Sequence, residues 1–214
     1  MCGIYGVGSI GLDEDNNKYI AEVKAGLSDL IHRGPDSQTI VASGEKSWII
    51  GQDRLSIVGM DDKTIKNYIS SIKFKNSGGD EYLLAFNGEI YNYKELRDDL
   101  ELLGYDFATS SDSEVLLKSL VEYGSDIIER LDGQFAFFFR RCSENEIIMA
   151  RDRMGKKPLY YSYENEKLRF SSEPEPLVRA IGFVPDIKSI ASLFVNGVFL
   201  RLVMNHLVIL YILE

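Results

Sequence analysis

Hydrophobic residues first recur with a helical spacing between residues 17 and 31. Apolar side chains there follow one another at steps of three and four, which is the period of an amphipathic helix; they are Ile20, Val23, Leu27, Leu30 and Ile31. Gly34 and Pro35 then end the pattern. The sequence therefore predicts a helix over residues 17–31 with one buried face.

Two more helices are predicted in the middle of the chain. Asn92 opens the first in an Asn variant of the capping-box pattern, and Gly104 ends it. The second is expected to begin at Ser111 or Asp112 and to end at Gly124.

Six short segments are rich in aromatic or β-branched residues and are separated by turn residues, which is typical of β-strands. They are residues 48–51, 82–86, 135–139, 147–150, 159–163 and 168–170. Residues 135–139 are apolar on both alternating faces, so we expect this strand to be covered on both sides. Strands grouped without a regular alternation with helices favour an α+β fold, with stacked antiparallel sheets and helices outside.

Residues 60–80 are mainly polar and are expected to form an extended connection. Within them, Ser77-Gly78-Gly79-Asp80 partly resembles the pyrophosphate-binding loop of ATP pyrophosphatases. No apolar strand precedes it and Glu81-Tyr82 replaces the final residues of that loop, so we interpret it as a turn.

Composition and charge exclude several classes of function. The chain has 214 residues, 45% of them hydrophobic, which suits one sizeable globular domain. The net charge is −9 and no basic stripe is present, so nucleic acid is not expected as a partner. Without a secretory signal or an apolar run long enough for a bilayer, a cytoplasmic chain with no membrane contact is expected. Only His32 and His206 could complete a cysteine metal site, so no metal is predicted.

The two cysteines differ in their position along the chain. Once Met1 is removed, Cys2 would carry the free α-amino group, whose reference pKa of about 7.7 to 8.0 suits it to accept the thiol proton. Cys2 is therefore a candidate N-terminal nucleophile, and the alternative is a cysteine that merely starts a buried strand. A nucleophilic Cys2 cannot form a structural disulfide, so Cys142 is expected to be an inert thiol.

Further sequence blocks support the nucleophile hypothesis. They are His32-Arg33-Gly34-Pro35-Asp36, Arg54-Leu55-Ser56-Ile57-Val58, Phe86-Asn87-Gly88-Glu89-Ile90-Tyr91-Asn92, Ser111-Asp112-Ser113-Glu114, Leu131-Asp132-Gly133-Gln134-Phe135-Ala136, Arg151-Asp152-Arg153, Gly155-Lys156-Lys157-Pro158-Leu159-Tyr160-Tyr161 and Phe170-Ser171-Ser172-Glu173. In this order after Met1-Cys2-Gly3-Ile4, they resemble the glutaminase domain of the class II, N-terminal-nucleophile glutamine amidotransferases, and within them the asparagine synthetases. The resemblance extends from Cys2 to about Gly197.

The resemblance implies a four-layer α-β-β-α sandwich, the N-terminal nucleophile hydrolase fold, that hydrolyses L-glutamine through a γ-glutamyl thioester on Cys2. It implies that the Asn87 amide and the Gly88 N–H hold the oxyanion. Glutamine is a zwitterion, and the family match assigns its α-carboxylate to Arg54 and its α-ammonium group to Glu89 and Asp112. Val58 completes the implied substrate-binding set. No cofactor is implied for this domain, since ATP and Mg²⁺ would belong to a synthetase domain.

Several of these residues also have simpler interpretations. Asn87-Gly88 could be a type I′ hairpin turn, Arg54 a surface charge on an edge strand, and Asp112 a plain helix N-cap. Three further interpretations concern other charged residues: Glu114 as a first-turn charge that favours the helix dipole, His32 and Arg33 as support for the pocket wall, and Arg151, Asp152 and Arg153 as an internal ion-pair network.

The sequence departs from the family in two places. Gly59-Met60-Asp61-Asp62 stands where the family has a Gln-Pro pair, so a different lid over the pocket is expected. Residues 1–197 are predicted to form the glutaminase domain, and residues 198–214 an apolar tail that is truncated before a synthetase domain. We expect the tail to pack on the domain or against a partner, including a second copy of the chain; a truncated or altered gene product is the alternative.

The leading hypothesis is a glutaminase domain that supplies ammonia for an asparagine-synthetase-like amidation, with a separate synthetase subunit as the candidate partner. One alternative is the same reaction for another acceptor. The run Leu55-Ser56-Ile57-Val58-Gly59 argues against it, because hexosamine-forming relatives carry Trp and a Thr-His-Gly run there. The other alternative is a catalytically silent binding or regulatory module that retains the fold.

Overall fold

The computed structural model describes residues 2–9, 16–44, 47–55, 69, 72–144, 146–182 and 209–212. Its strands are β1 (Gly3–Ser9), β2 (Ser37–Ala42), β3 (Trp48–Arg54), β4 (Lys73–Lys75), β5 (Glu81–Ile90), β6 (Gly133–Arg141), β7 (Glu146–Arg151), β8 (Tyr160–Glu164), β9 (Lys167–Ser171) and β10 (Ile209–Ile212). Its helices are α1 (Asn16–Leu30), α2 (Tyr93–Leu102), α3 (Asp112–Tyr123) and α4 (Pro174–Ile181), and short 3₁₀ helices span Ile31–Arg33 and Gly124–Arg130.

The strands form two five-stranded sheets, with the orders β2-β3-β1-β9-β8 and β10-β7-β6-β5-β4. Neighbouring strands are antiparallel except β10 and β7, which are parallel. The prediction of stacked antiparallel sheets is therefore confirmed, with one parallel pair at an edge.

The two sheets pack face to face, and helices cover their outer faces. Strand β6 shows why, because its side chains alternate between two apolar environments. Phe135, Phe137 and Phe139 pack against residues of α2 and α3. Phe138 instead lies between the sheets and stacks on Trp48 and Phe170, at ring-centroid distances of 5.0 and 4.3 Å. Both faces of β6 are covered, as predicted.

Helix α1 covers the outer face of the first sheet. Its buried residues Val23, Leu27 and Leu30 pack with Tyr5 and other side chains of that sheet. A Cβ on Gly51 of β3 would lie 2.5 Å from Leu27 Cδ1, so glycine allows the close approach of helix and strand. The layers are thus α-β-β-α, which confirms the implied fold class.

Asn92 stands at the N-cap position of α2, as predicted, but its side chain does not make the predicted capping hydrogen bond. Instead its Nδ2 donates to Arg130 O at 2.9 Å and its Oδ1 accepts from Asp132 N at 3.1 Å. A contact with a distant loop has replaced the local one.

Residues 77–80 form part of the turn between β4 and β5, as predicted, with Asp80 N donating to Asn76 Oδ1 at 2.9 Å. The expected difference in the lid over the pocket falls on residues 56–68, which lie outside the described residues. Of the predicted tail, only Ile209–Ile212 is described, as strand β10. Among the described residues, no helix is long and apolar enough to cross a membrane.

Candidate active site

One cleft collects side chains and backbone from the start of β1, the ends of β3 and β5, and the start of α3. The empty space in the cleft and its mouth, open solvent included, is about 580 Å³. It is lined by Cys2, Gln52, Arg54, Leu55, Phe86, Asn87, Gly88, Glu89, Ser111, Asp112, Ser113, Gln134 and Lys157. Six of the seven predicted site residues therefore meet in one place; the seventh, Val58, lies outside the described residues.

Cys2 precedes β1 and is held at both its backbone and its side chain. Its carbonyl accepts from Arg33 Nε at 3.3 Å, and its Sγ donates to Leu55 O at 3.9 Å. Burial raises the pKa of the Cys2 thiol, while Gln52 and Arg54 act in the opposite direction. Because the thiol is held protonated, a nucleophilic role requires a group that accepts its proton.

Arg33 contacts the backbone of Cys2, as expected for a supporting residue, whereas His32 contacts only Glu173 outside the cleft. Arg33 Nη1 lies 2.7 Å from Glu173 Oε1, and His32 Nε2 lies 3.0 Å from the same oxygen. His32 is exposed and does not line the cleft. Arg33 thus connects the backbone of Cys2 to an ion pair outside the cleft.

Asn87 lies within β5 and not in a turn. Asn87 pairs with Ala136 and Gly88 with Phe135, so the hairpin-turn interpretation is wrong. The Asn87 side chain is completely buried, and neither Oδ1 nor Nδ2 has a hydrogen-bond partner among the described residues. A buried polar group left unsatisfied costs about 1–3 kcal/mol. Its amide therefore has unused hydrogen-bonding capacity in the lining of the cleft.

Gly88 follows Asn87 at a point where the two strands leave no room for a side chain. A Cβ there would lie 2.3 Å from Gln134 O and 2.7 Å from Phe135 Cα. Steric contact with β6 thus requires glycine at this position of the cleft lining.

Two acids lie together at the junction of β5 and α3. Ser111 is the N-cap of α3, accepting from Glu114 N at 3.3 Å, so the N-cap interpretation of Asp112 is wrong. Asp112 Oδ2 instead accepts from Ile90 N at 3.0 Å. Burial raises the pKa of Asp112 to about 6; the Ile90 N–H lowers it, and the charge of Glu89 raises it further. The cleft therefore contains a buried carboxylate that forms no ion pair with any described residue.

Arg54 provides a cation in the same cleft. It is 6% exposed and lies on β3, which has β2 on one side and β1 on the other. The interpretation as a surface charge on an edge strand is therefore wrong. A buried guanidinium beside a cleft is suited to bidentate binding of a carboxylate.

Sequence reasoning gave no chemical role to Gln52, Gln134 or Lys157, which also line the cleft. Gln52 Oε1 accepts from Phe86 N at 3.2 Å and so links the two sheets. Gln52 stands two residues before Arg54 on β3, and the two-residue period of a strand places both on one face. That spacing was a signal available in the sequence, whereas Lys157 comes from a distant loop.

Asp152 anchors the loop that carries Lys157. Its carboxylate accepts three backbone N–H groups, from Phe135 at 3.2 Å, Lys156 at 2.9 Å and Lys157 at 3.0 Å. Burial acts to raise the pKa of Asp152, but these hydrogen bonds and the charge of Arg151 lower it. The predicted internal ion-pair network is wrong, because backbone N–H groups satisfy this carboxylate.

Glu114 is more than a first-turn charge. It is buried, lies 2.7 Å from Lys118 Nζ, and accepts from Thr109 N at 2.7 Å and Ala108 N at 3.0 Å. These contacts fix the loop before Ser111 and so position the start of α3, which carries Asp112.

Neither Cys2 nor Cys142 forms a disulfide. Cys142 follows β6, where its backbone N donates to Glu81 O at 2.9 Å. In the part of the chain that the structure describes, no group of three or more His, Cys, Asp or Glu residues could hold a metal ion.

Comparisons with known proteins match this geometry to a family. Residues 1–203 match the glutamine amidotransferase domain family. The chain is 35% identical over 183 residues to glutamine-hydrolysing asparagine synthetase 1 of Bacillus subtilis, covering 84% of this chain and 27% of that protein. It is 36% identical over 181 residues to asparagine synthetase B of Escherichia coli, covering 83% and 30%. The chain thus spans less than a third of these two relatives.

A solved structure shows the same fold. Glutamine phosphoribosylpyrophosphate amidotransferase from B. subtilis, complexed with ADP and GMP, matches with a TM-score of 0.63 and 25% identity. The match covers 82% of this chain and 43% of that one.

Proposed function

Since the chain belongs to the glutamine amidotransferase domain family, we propose that it hydrolyses L-glutamine to L-glutamate and ammonia through a γ-glutamyl thioester on Cys2. The observation that carries the proposal is the Asn87 amide, which is buried, lacks a partner among the described residues and lines the same cleft as Cys2. An oxyanion formed on a substrate carbonyl would supply that partner.

The charges of the cleft fit the two ends of a free amino acid. In the proposed complex, Arg54 binds the α-carboxylate, while Glu89 and Asp112 hold the α-ammonium group. Val58 belongs to the same proposed substrate-binding set. The γ-amide then points toward Cys2, because the opposite charges fix the other end of the molecule.

The proposed reaction has two stages. Cys2 Sγ bonds to the γ-carbonyl carbon, and the Asn87 amide and Gly88 N–H hold the resulting oxyanion. Collapse of this intermediate breaks the bond to nitrogen, and the thiol proton leaves with ammonia. Water then attacks the thioester, releases glutamate and restores the thiol.

The proton transfer needs a base, because burial keeps the Cys2 thiol protonated. We propose that Met1 is removed and that the α-amino group of Cys2 is this base. The thiol, the amine and water suffice for these steps, so no cofactor is proposed.

The destination of the ammonia is a further part of the proposal. The names of the asparagine synthetase relatives support delivery to an asparagine-synthetase-like amidation, carried by a separate synthetase subunit. We propose residues 1–197 as the glutaminase unit and residues 198–214 as an apolar tail. The pairing of Ile209–Ile212 with β7 supports packing of the tail on the glutaminase unit; a contact with a partner is the alternative. Cysteines outside disulfides support a reducing, cytoplasmic setting.

Ammonia release from L-glutamine tests the proposal, with Cys2→Ala and Cys142→Ala as a matched pair. We expect Cys2→Ala to abolish release with an unchanged circular dichroism spectrum, and Cys142→Ala to retain it. Release that survives in Cys2→Ala would contradict the thioester mechanism. A folded wild-type chain that releases no ammonia would favour the catalytically silent module.

A further inference from the structure

Lys157 adds a cationic residue to the lining of the cleft, and no described acid forms an ion pair with it. The residue is 8% exposed and lines the cleft. Its backbone N donates to Asp152, but its Nζ forms no hydrogen bond or ion pair with any described residue. The Lys157 side chain is largely covered by protein, and an ammonium group in such a position is stabilised by an anion that pairs with it. The position is therefore suited to an anionic ligand.

Bound glutamine leaves this charge without a partner. In the proposed complex its α-carboxylate is paired with Arg54, its ammonium group lies with Glu89 and Asp112, and its γ-amide is neutral. Hydrolysis converts the γ-amide into a carboxylate. The product therefore has one more negative charge than the substrate, at the end of the molecule that reacts.

The loop of Lys157 is anchored to the strand pair that carries the reacting end of the cleft. One oxygen of Asp152, Oδ2, accepts both Lys157 N at 3.0 Å and Phe135 N at 3.2 Å. Phe135 is in turn the cross-strand partner of Gly88. The Asp152 carboxylate thus holds the backbone of Lys157 beside Phe135. Phe135 is the residue that pairs with Gly88, one of the two proposed oxyanion donors.

We infer that Lys157 binds the γ-carboxylate of L-glutamate in this cleft. The inference rests on the proposed function, which sets the orientation of the amino acid. Without this cation, the γ-carboxylate would enter a cleft that already holds two acids, Glu89 and Asp112. Lys157 therefore makes the cleft a binding site for product as well as for substrate, and glutamate inhibits the reaction by remaining bound.

Calorimetric titration of L-glutamate and L-glutamine tests this assignment. The titrations use Cys2→Ala protein, so that glutamine is not consumed, with Lys157→Met or Lys156→Met added. Lys156 is the matched control, because it is the adjacent lysine, is exposed and does not line the cleft. We expect Lys157→Met to raise the Kd for glutamate about tenfold or more, as for loss of a charged hydrogen bond. The Kd for glutamine should change by less than about threefold, and Lys156→Met should alter neither.

Two results would overturn the inference. Equal weakening of both ligands would place Lys157 at a group that glutamine and glutamate share, such as the α-carboxylate. Unchanged glutamate affinity would mean that Lys157 binds no γ-carboxylate. If Lys157→Met fails to fold, Lys157→Gln removes the charge with a polar side chain, and the same two affinities decide.

Failure of the inference and failure of the proposed function are distinguishable. A wild-type chain that releases no ammonia from glutamine contradicts the proposed function. The two affinities, for glutamate and for glutamine, are measured by calorimetry without any catalytic turnover. Their ratio therefore supports or overturns the role of Lys157 even if the chain releases no ammonia.

Discussion

Replacement of Asp112 by Asn should stabilise the free protein while it weakens substrate binding. Asp112 is 6% exposed, and its Oδ2 accepts from Ile90 N at 3.0 Å. Burial, with a contribution from the charge of Glu89, raises the pKa of Asp112 from an ordinary 3.8 to about 6. Asn keeps the shape and an acceptor oxygen for Ile90 N–H, but carries no charge. The substitution therefore removes the unfavourable burial of a carboxylate.

The size of the effect follows from the two pKa values. The difference between 3.8 and about 6 corresponds to about 3 kcal/mol, at about 1.36 kcal/mol for each tenfold change in acidity. Between these pH values the folded chain binds more protons at Asp112 than the unfolded chain. The contribution of Asp112 to stability therefore falls as the pH rises through this window. Asp112→Asn should raise the free energy of unfolding by up to about 3 kcal/mol near pH 7.5, and by less than about 1 kcal/mol near pH 4.2.

Urea unfolding of the wild type and the variant at both pH values measures this difference. Glu114→Gln is the control of opposite sign. Burial acts to raise the pKa of Glu114, but hydrogen bonds from Lys118, Thr109 and Ala108 lower it below its ordinary value. Glu114→Gln should therefore destabilise the protein at neutral pH, and the loss should shrink as the pH falls through the ordinary carboxyl range.

Two outcomes would refute this reasoning about Asp112. One is a variant that is less stable than the wild type near pH 7.5, and the other is a gain in stability that does not depend on pH. The KM for glutamine is measured in parallel and should rise in Asp112→Asn, because one of two proposed anions for the ammonium group is lost.

Three other substitutions test the remaining parts of the cleft. Asn87→Ala should leave the free energy of unfolding within about 1 kcal/mol of the wild type, because the Asn87 amide has no partner among the described residues to lose. The kcat should fall about a hundredfold or more. A kcat near that of the wild type would exclude an oxyanion role. Gly88→Ala should destabilise the protein by about 1–3 kcal/mol in urea unfolding, since its Cβ would lie 2.3 Å from Gln134 O; unchanged stability would contradict the close approach of the strands. Arg54→Lys should raise the KM for glutamine about tenfold through loss of bidentate binding, and a KM equal to that of the wild type would remove Arg54 from the α-carboxylate site.

Elements with a strong hydrophobic period were predictable from the sequence. The helix predicted over residues 17–31 is α1, Asn16–Leu30, and the aromatic strand at 135–139 lies within β6. Strand β2 was missed because Ser37, Gln38 and Thr39 are polar, which suits the edge of a sheet. Helix α4 was missed because it begins with two prolines in three residues.

Only Cys2 could be singled out from its own chemistry and position, as a thiol at the start of the chain. Arg54 and Asp112 were assigned through the resemblance of their sequence blocks to the family. Lys157 was not found, because a lysine in a loop is usually solvated and its burial depends on Asp152 and β6. Asn92 was assigned to the wrong partner for the related reason that a distant loop competes with the local cap.

The most direct test of the mechanism is an intact-mass measurement after treatment with a glutamine-like diazoketone. We expect a chain that lacks Met1 and carries one adduct on Cys2, with no adduct in Cys2→Ala. Retention of Met1 in the labelled chain, or an adduct on Cys142 in place of Cys2, would contradict an N-terminal nucleophile.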